Sequence, residues 1–172
     1  MNLINFEWKK VRILLINFGM EGLGVRNLSS FLKVILQYDS IVNILFLQHG
    51  IDEKKANLIA NFISYNNYNV VGFSCMTGDY YEARLISRLI KSLPHRPVVI
   101  WGGVHPTSSP EECLFEGGAD LVFNAAAEIS LAKLLSEIMQ QPWPPRAKNG
   151  FGAPFARGKP HKASVLDAES PP

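Results

Sequence analysis

The chain alternates short apolar runs with longer segments in which apolar residues recur every three or four positions. The runs predict strands buried on both faces, and they cover residues 11–17, 41–48, 70–76, 97–101 and 119–123. The periodic segments predict helices, and they cover residues of about 24–37, 52–66, 83–93 and 128–139. A further short helix is predicted to begin at residues 110–112, where a proline is tolerated at the first helical position. Strands that alternate with helices predict one parallel sheet with right-handed crossovers and helices on both faces.

The pattern ends near residue 140. Residues 141–172 hold seven of the eleven prolines and show no apolar periodicity. Such a segment cannot bury enough apolar surface to offset the entropy lost on ordering. We therefore expect one α/β domain over residues 1–140 and a disordered, proline-rich tail over residues 141–172.

Composition and charge narrow the possible partners. The chain has 172 residues, is 47% hydrophobic and carries a formal charge of +2. The tail contributes +3 of this charge, so the folded part is close to neutral, and a nucleic-acid partner is not expected. No apolar run reaches the roughly 18 residues of a membrane span, and the first residues do not resemble a secretory signal. We expect a cytoplasmic protein, in which Cys75 and Cys113 are reduced because two residues give no disulfide framework or metal spacing.

Small residues are concentrated in the loops that follow the predicted strands. In a parallel sheet these loops meet at one edge, and ligands bind there. Gly19 to Gly24 follow the first strand, and Gly102-Gly103 follow the fourth. Glycines allow a bulky ligand to approach the backbone closely, although tight turns explain them as well. The spacing of the first loop is neither a dinucleotide fingerprint nor a phosphate-binding P-loop.

Three segments together resemble a known family. They are Val71-Gly72-Phe73-Ser74-Cys75-Met76-Thr77, then Trp101-Gly102-Gly103-Val104-His105-Pro106-Thr107, and Pro110-Glu111-Glu112-Cys113. With the glycine-rich first loop, they resemble the N-terminal cobalamin (B12)-binding domain of B12-dependent radical SAM enzymes, over roughly residues 11–138. The resemblance implies a flavodoxin-like, doubly wound α/β fold with three layers and a five-stranded parallel sheet in the order 2-1-3-4-5.

The resemblance also implies where a cobalamin would lie. Its nucleotide tail would enter between the third and fourth strands, and its corrin ring would rest near the first loop and the loop after the fifth strand. The implied cofactor-binding residues are Gly19, Met20, Gly22, Leu23, Gly24, Ser74, Met76, Thr77, Gly102, Gly103, Val104, His105, Pro106, Asn124, Ala125 and Glu128. For Ser74 and Thr77 the alternative is capping of a strand end, and for His105 it is a loop histidine bonded to backbone.

Departures from the family pattern limit the cobalt ligation and the catalytic chemistry that we expect of this chain. The Asp-x-His-x-x-Gly motif is missing after the first strand, so we expect cobalamin to bind without a histidine ligand from this chain. Residues 125–127, which follow Asn124, read Ala-Ala-Ala where the family usually has Gly-Glu-Gly before Glu128. The Cys-x-x-x-Cys-x-x-Cys motif that would bind an iron–sulfur cluster is also missing, and no catalytic residue is assigned.

These observations predict a cobalamin-binding module without catalytic activity of its own. It would be detached or truncated from a methyltransferase-like radical SAM enzyme, and a radical SAM catalytic domain or protein would be its partner. Two alternatives stay open. In the first, the domain binds another nucleotide-type cofactor such as a flavin; in the second, it is a degenerate remnant that binds nothing.

Overall fold

A computed structural model describes residues 11–36, 40–124, 126–139 and 165–167 of the chain. Its centre is a sheet of five parallel strands in the order β2-β1-β3-β4-β5. The strands are β1 (Val11–Phe18), β2 (Ser40–Leu47), β3 (Val70–Ser74), β4 (Val98–Gly102) and β5 (Leu121–Phe123). The predicted flavodoxin-like fold and strand order are therefore confirmed.

Among the described residues, five α-helices lie between these strands and a sixth follows β5. They are α1 (Leu23–Leu36), α2 (Glu53–Tyr65), α3 (Tyr80–Lys91), α4 (Val104–Ser108), α5 (Pro110–Glu112) and α6 (Glu128–Ile138). Helix α4 was not predicted, because Pro106 suggested a loop. Pro106 lies in the first turn of α4, where backbone N–H groups have no partner within the helix, so its missing N–H removes no helical hydrogen bond. Across the described residues, no helix combines the length and apolarity needed to cross a membrane.

The sheet has a hydrophobic core on each face. Successive residues of a strand point to opposite faces, so Leu14 and Ile16 of β1 join one core while Ile13 and Leu15 join the other. Helices α2 and α3 cover the first core, and α1 and α6 cover the second. The result is the predicted three-layer arrangement, in which the central strands are buried on both sides.

Trp101 anchors the core beneath α3. Its indole N–H donates a hydrogen bond of 3.0 Å to the hydroxyl of Ser87, and both residues are fully buried. Replacing Ser87 with alanine should lower the free energy of unfolding by about 1–3 kcal/mol, because the buried N–H loses its acceptor. Urea denaturation measures this change.

Ser92 provides the control for this substitution. Its exposed hydroxyl donates a long hydrogen bond of 3.4 Å to the carbonyl of Arg88. We expect Ser92→Ala to change the stability by less than about 0.5 kcal/mol. An equal loss in the two variants would show that the contact between Trp101 and Ser87 contributes nothing specific.

A sixth strand extends the sheet beyond β5. Strand β6 (Val165–Asp167) pairs antiparallel with β5, with Val122 opposite Leu166. The sequence analysis predicted no strand in the tail, so these three residues depart from that expectation. An edge strand presents unpaired N–H and C=O groups that accept a further strand. The other residues of the tail lie outside the described residues, as do residues 1–10.

Candidate cofactor site

A cavity of about 240 Å³ lies between the sheet and helices α1 and α6. Its floor is formed by Leu15, Gly72 and Ile100, which lie side by side on β1, β3 and β4. Two residues further along the strands, Ser74 and Gly102 form its rim at the carboxyl edge of the sheet. The walls are lined by Gly24, Val25, Leu28, Phe73, Gly103, Phe123, Ala126, Ala127, Glu128 and Leu131.

The floor offers no hydrogen-bonding side chain. Leu15 and Ile100 are apolar, and Gly72 has no side chain; a Cβ atom there would lie 3.0 Å from Cδ2 of Leu15. Strand β3 is paired on both sides, so the backbone groups at this level belong to the ladders of the sheet. The sequence analysis did not identify these floor residues. A glycine inside a strand was the available signal, since it often marks a close approach.

Two glycines leave room for a ligand. A Cβ atom on Gly24 would meet no atom within 4 Å, and one on Gly102 would meet only the carbonyl oxygen of Phe123 at 3.9 Å. Both residues line the cavity. Their missing side chains therefore keep space open at the edge, as predicted for glycines that admit a bulky ligand.

Two other glycines are explained by the fold itself. Gly103 has φ +108°, and a Cβ atom there would lie 2.9 Å from the carbonyl oxygen of Cys75. A Cβ atom on Gly22 would lie 2.6 Å from Cε1 of Phe46. Close packing requires glycine at both positions, so the tight-turn alternative describes them better, although Gly103 also lines the cavity.

The polar side chains of the cavity lie at its rim. They are the hydroxyl of Ser74, at the end of β3, and the carboxylate of Glu128, at the start of α6. Among the described residues, the Ser74 hydroxyl has no hydrogen-bonding partner, so it is free to bind a ligand. Thr77 lies in a short turn after β3, is exposed and does not line the cavity.

Of the sixteen predicted residues, the structure brings five together around the cavity. These five are Gly24, Ser74, Gly102, Gly103 and Glu128. Four apolar residues stand exposed at the same edge, namely Met20, Leu23, Met76 and Val104. Gly19 and Gly22 shape the first loop, Asn124 follows β5, and Ala125 lies outside the described residues.

The structure does not bring His105 to the cavity, and Pro106 beside it is buried as well. The imidazole packs against Tyr80, with 4.8 Å between the ring centroids, and its Nε2 lies 3.5 Å from a carboxylate oxygen of Glu112. Its backbone N–H donates to the carbonyl of Cys75. Tyr80 belongs to the core beneath α3, so His105 points to the opposite face of the sheet from the cavity.

A buried asparagine shapes the first loop. The side-chain amide of Asn17 donates to the carbonyl oxygens of Phe18, Gly19 and Glu21, at 3.0 to 3.2 Å. These bonds fold the loop back on the end of β1 before α1 begins. The sequence analysis missed this role, for which an asparagine at the end of a strand is the signal.

The two cysteines do not contribute to the cavity. Both are fully buried, and burial raises the pKa of Cys113 to about 12 and raises the pKa of Cys75 further. Both thiols therefore remain protonated at neutral pH, which makes them unreactive core residues. In the part of the chain that the structure describes, no group of three or more His, Cys, Asp and Glu side chains is arranged to hold a metal ion.

Comparison with known proteins identifies a family whose model matches this chain. A family model described as "B12 binding domain" matches residues 11–135, a range that includes the whole lining of the cavity. No curated protein matches the chain. Among solved structures, a chain described as "Solution structure of a phosphate-loop protein" is similar, with 13% sequence identity and a TM-score of 0.36. That similarity covers 60% of this chain and 87% of the other.

Proposed function

This chain belongs to the B12-binding domain family, and on that premise we propose that it binds cobalamin at the carboxyl edge of its sheet. The observation that carries the proposal is the cavity between the sheet, α1 and α6, which Gly24 and Gly102 keep open. Every residue that lines the cavity falls inside the range matched by the family model.

The cavity suits the nucleotide tail of the cofactor. This tail consists of a phosphate, a ribose and an aromatic base, so it needs hydrogen-bond donors near the edge and apolar surface further in. The free hydroxyl of Ser74 supplies a donor at the rim, while Leu15 and Ile100 supply apolar surface at the floor. The hydroxyl at the rim and the apolar floor therefore fit the group.

The exposed apolar residues at the edge suit the corrin ring. Met20, Leu23, Met76 and Val104 expose 69%, 73%, 59% and 58% of their surface. They come from the first loop, the exit of β3 and the start of α4, at the same edge of the sheet as the rim of the cavity. Exposed apolar residues that cluster in this way commonly mark a binding surface, and a flat macrocycle would cover them.

The bound cofactor would supply cobalt chemistry, such as carrying a methyl group. The residues of this chain would bind and orient the cofactor and exclude water from its nucleotide tail. We assign none of them to catalysis. The buried position of His105 supports binding without a histidine ligand. We further propose that the module serves a radical SAM catalytic domain in the cytoplasm, a role supported by the resemblance carried by Trp101–Thr107 and Pro110–Cys113.

Gel filtration of the full chain with hydroxocobalamin tests the proposal. We expect one equivalent of corrin absorbance to co-elute with the protein, with a dissociation constant of about 1 μM or below. Flavin mononucleotide, tested in the same way, is the control for the alternative cofactor. Failure to retain hydroxocobalamin at high micromolar concentration would overturn the proposal, and retention of the flavin instead would favour the flavodoxin-like alternative.

A further inference from the structure

We infer that the cavity selects among corrinoids by the base at the end of their nucleotide tail, and that it favours dimethylbenzimidazole over adenine. This inference rests on the proposed binding of cobalamin and concerns the same site. It follows from where polar and apolar groups stand within the cavity.

The depth of the cavity is apolar. Leu15, Gly72 and Ile100 form its floor, and Leu28 of α1 and Leu131 of α6 also line it. The backbone groups of the floor are hydrogen-bonded within the sheet. A base that reaches this level meets neither a free donor nor a free acceptor.

Polar groups are confined to the rim. Ser74 lies two residues beyond Gly72 on β3, which places it about 6.6 Å closer to the edge. Glu128 begins α6 at the same edge. The Ser74 hydroxyl can donate to a phosphate oxygen, and the Glu128 carboxylate can accept a hydrogen bond from a ribose hydroxyl. The base, at the far end of the tail, would then reach the apolar floor.

The two bases differ in the polar groups that they would bury in an apolar cavity. Adenine carries an exocyclic amino group and additional ring nitrogens, which would lose their hydrogen bonds with water and gain none. Dimethylbenzimidazole carries two methyl groups instead, and these gain from burial. An unpartnered buried polar group is costly enough to give roughly 10- to 100-fold discrimination.

The test compares three corrinoids by equilibrium dialysis with the full chain. They are hydroxocobalamin, its analogue with adenine as the lower base, and cobinamide, which has no nucleotide base. Wild-type protein should bind hydroxocobalamin more tightly than either of the others. Detachment of the base from cobalt also affects these affinities. Its free energy is a property of the corrinoid, so it is the same for wild-type and variant proteins. It therefore cancels when the ratio of the affinities for two corrinoids is compared between the proteins.

Leu28→Asn places an amide in the cavity and should lower the preference for hydroxocobalamin over the adenine analogue by at least about tenfold. Val25→Thr introduces a hydroxyl with almost no change of shape and should act in the same direction. Leu28→Met keeps the site apolar, and Leu58→Asn makes the same exchange on the exposed face of α2, outside the cavity. Both controls should preserve the wild-type ratio.

The outcomes distinguish a failure of the selection by base from a failure of the proposed cobalamin binding. An unchanged ratio in Leu28→Asn and Val25→Thr would overturn the selection by base, and so would cobinamide that binds as tightly as hydroxocobalamin. In both cases the chain would still be a corrinoid-binding domain. Failure of all three corrinoids to bind would overturn the proposed function itself.

Discussion

Replacing Gly102 with leucine should weaken the binding of hydroxocobalamin at least about 100-fold while the domain stays folded. Gly102 ends β4 at the rim of the cavity, and a Cβ atom there would meet only a carbonyl oxygen at 3.9 Å. The leucine side chain would therefore occupy space that the cofactor needs. Steric exclusion on this scale corresponds to about 3 kcal/mol of lost binding free energy, which equilibrium dialysis measures directly.

Gly78 provides a matched control for this substitution. A Cβ atom on Gly78 would also meet nothing within 4 Å, but the residue lies in the exposed turn after β3 and does not line the cavity. Gly78→Leu should bind hydroxocobalamin as the wild type does. Unchanged affinity in Gly102→Leu, with circular dichroism showing an intact fold, would exclude the cavity as the binding site.

Replacing Gly103 with alanine should lower the free energy of unfolding by roughly 2–4 kcal/mol. The residue has φ +108°, a conformation that residues with a side chain rarely adopt. A Cβ atom there would also lie 2.9 Å from the carbonyl oxygen and 3.0 Å from the amide nitrogen of Cys75. Both backbone groups of Cys75 are hydrogen-bonded, the N–H to the carbonyl of Gly102 and the carbonyl to the N–H of His105, so they cannot easily move aside and the strain remains. The midpoint of urea denaturation measures the loss.

The neighbouring residue is the control for this second prediction. Gly102→Ala makes the same exchange one position earlier, where the Cβ atom meets open space and φ is not positive. Its stability should stay within about 1 kcal/mol of the wild type or rise slightly, because alanine restricts the unfolded chain. Equal destabilisation of the two variants would mean that the contact of Gly103 with Cys75 is not the cause.

The strands and most helices were predictable because their buried positions are apolar. These positions form short apolar runs in the strands and recur at helical spacing in the helices. Strand β1 is mostly apolar, and α3 shows apolar residues every three or four positions. The strand order came from the family resemblance, since periodicity contains no information on which strands are neighbours. Helix α4 could not be predicted, because the short stretch around Pro106 has too few apolar positions to show a period.

The site was predictable only in part. Loops that carry small residues predicted a site at the edge where the cavity lies, but they could not distinguish Gly102, which opens space, from Gly103, which fits against Cys75. That distinction depends on backbone conformation and on atoms far away in the sequence. The floor at Gly72 depends on strand register, and the direction of His105 is set by its packing on Tyr80. The radical SAM partner and the cytoplasmic location stay predictions.

The two edges of the sheet differ in their exposure to other copies of the chain. Strand β6 covers β5, whereas β2, at the opposite edge, is hydrogen-bonded to β1 alone among the described strands. Strand β2 has eight residues, most of them apolar, and no other described strand pairs with its outer edge. Edge strands of this kind are templates for aggregation. At the high concentrations used for crystallisation or spectroscopy, self-association would therefore begin at β2, and a lysine introduced into that strand is the change that would improve solubility.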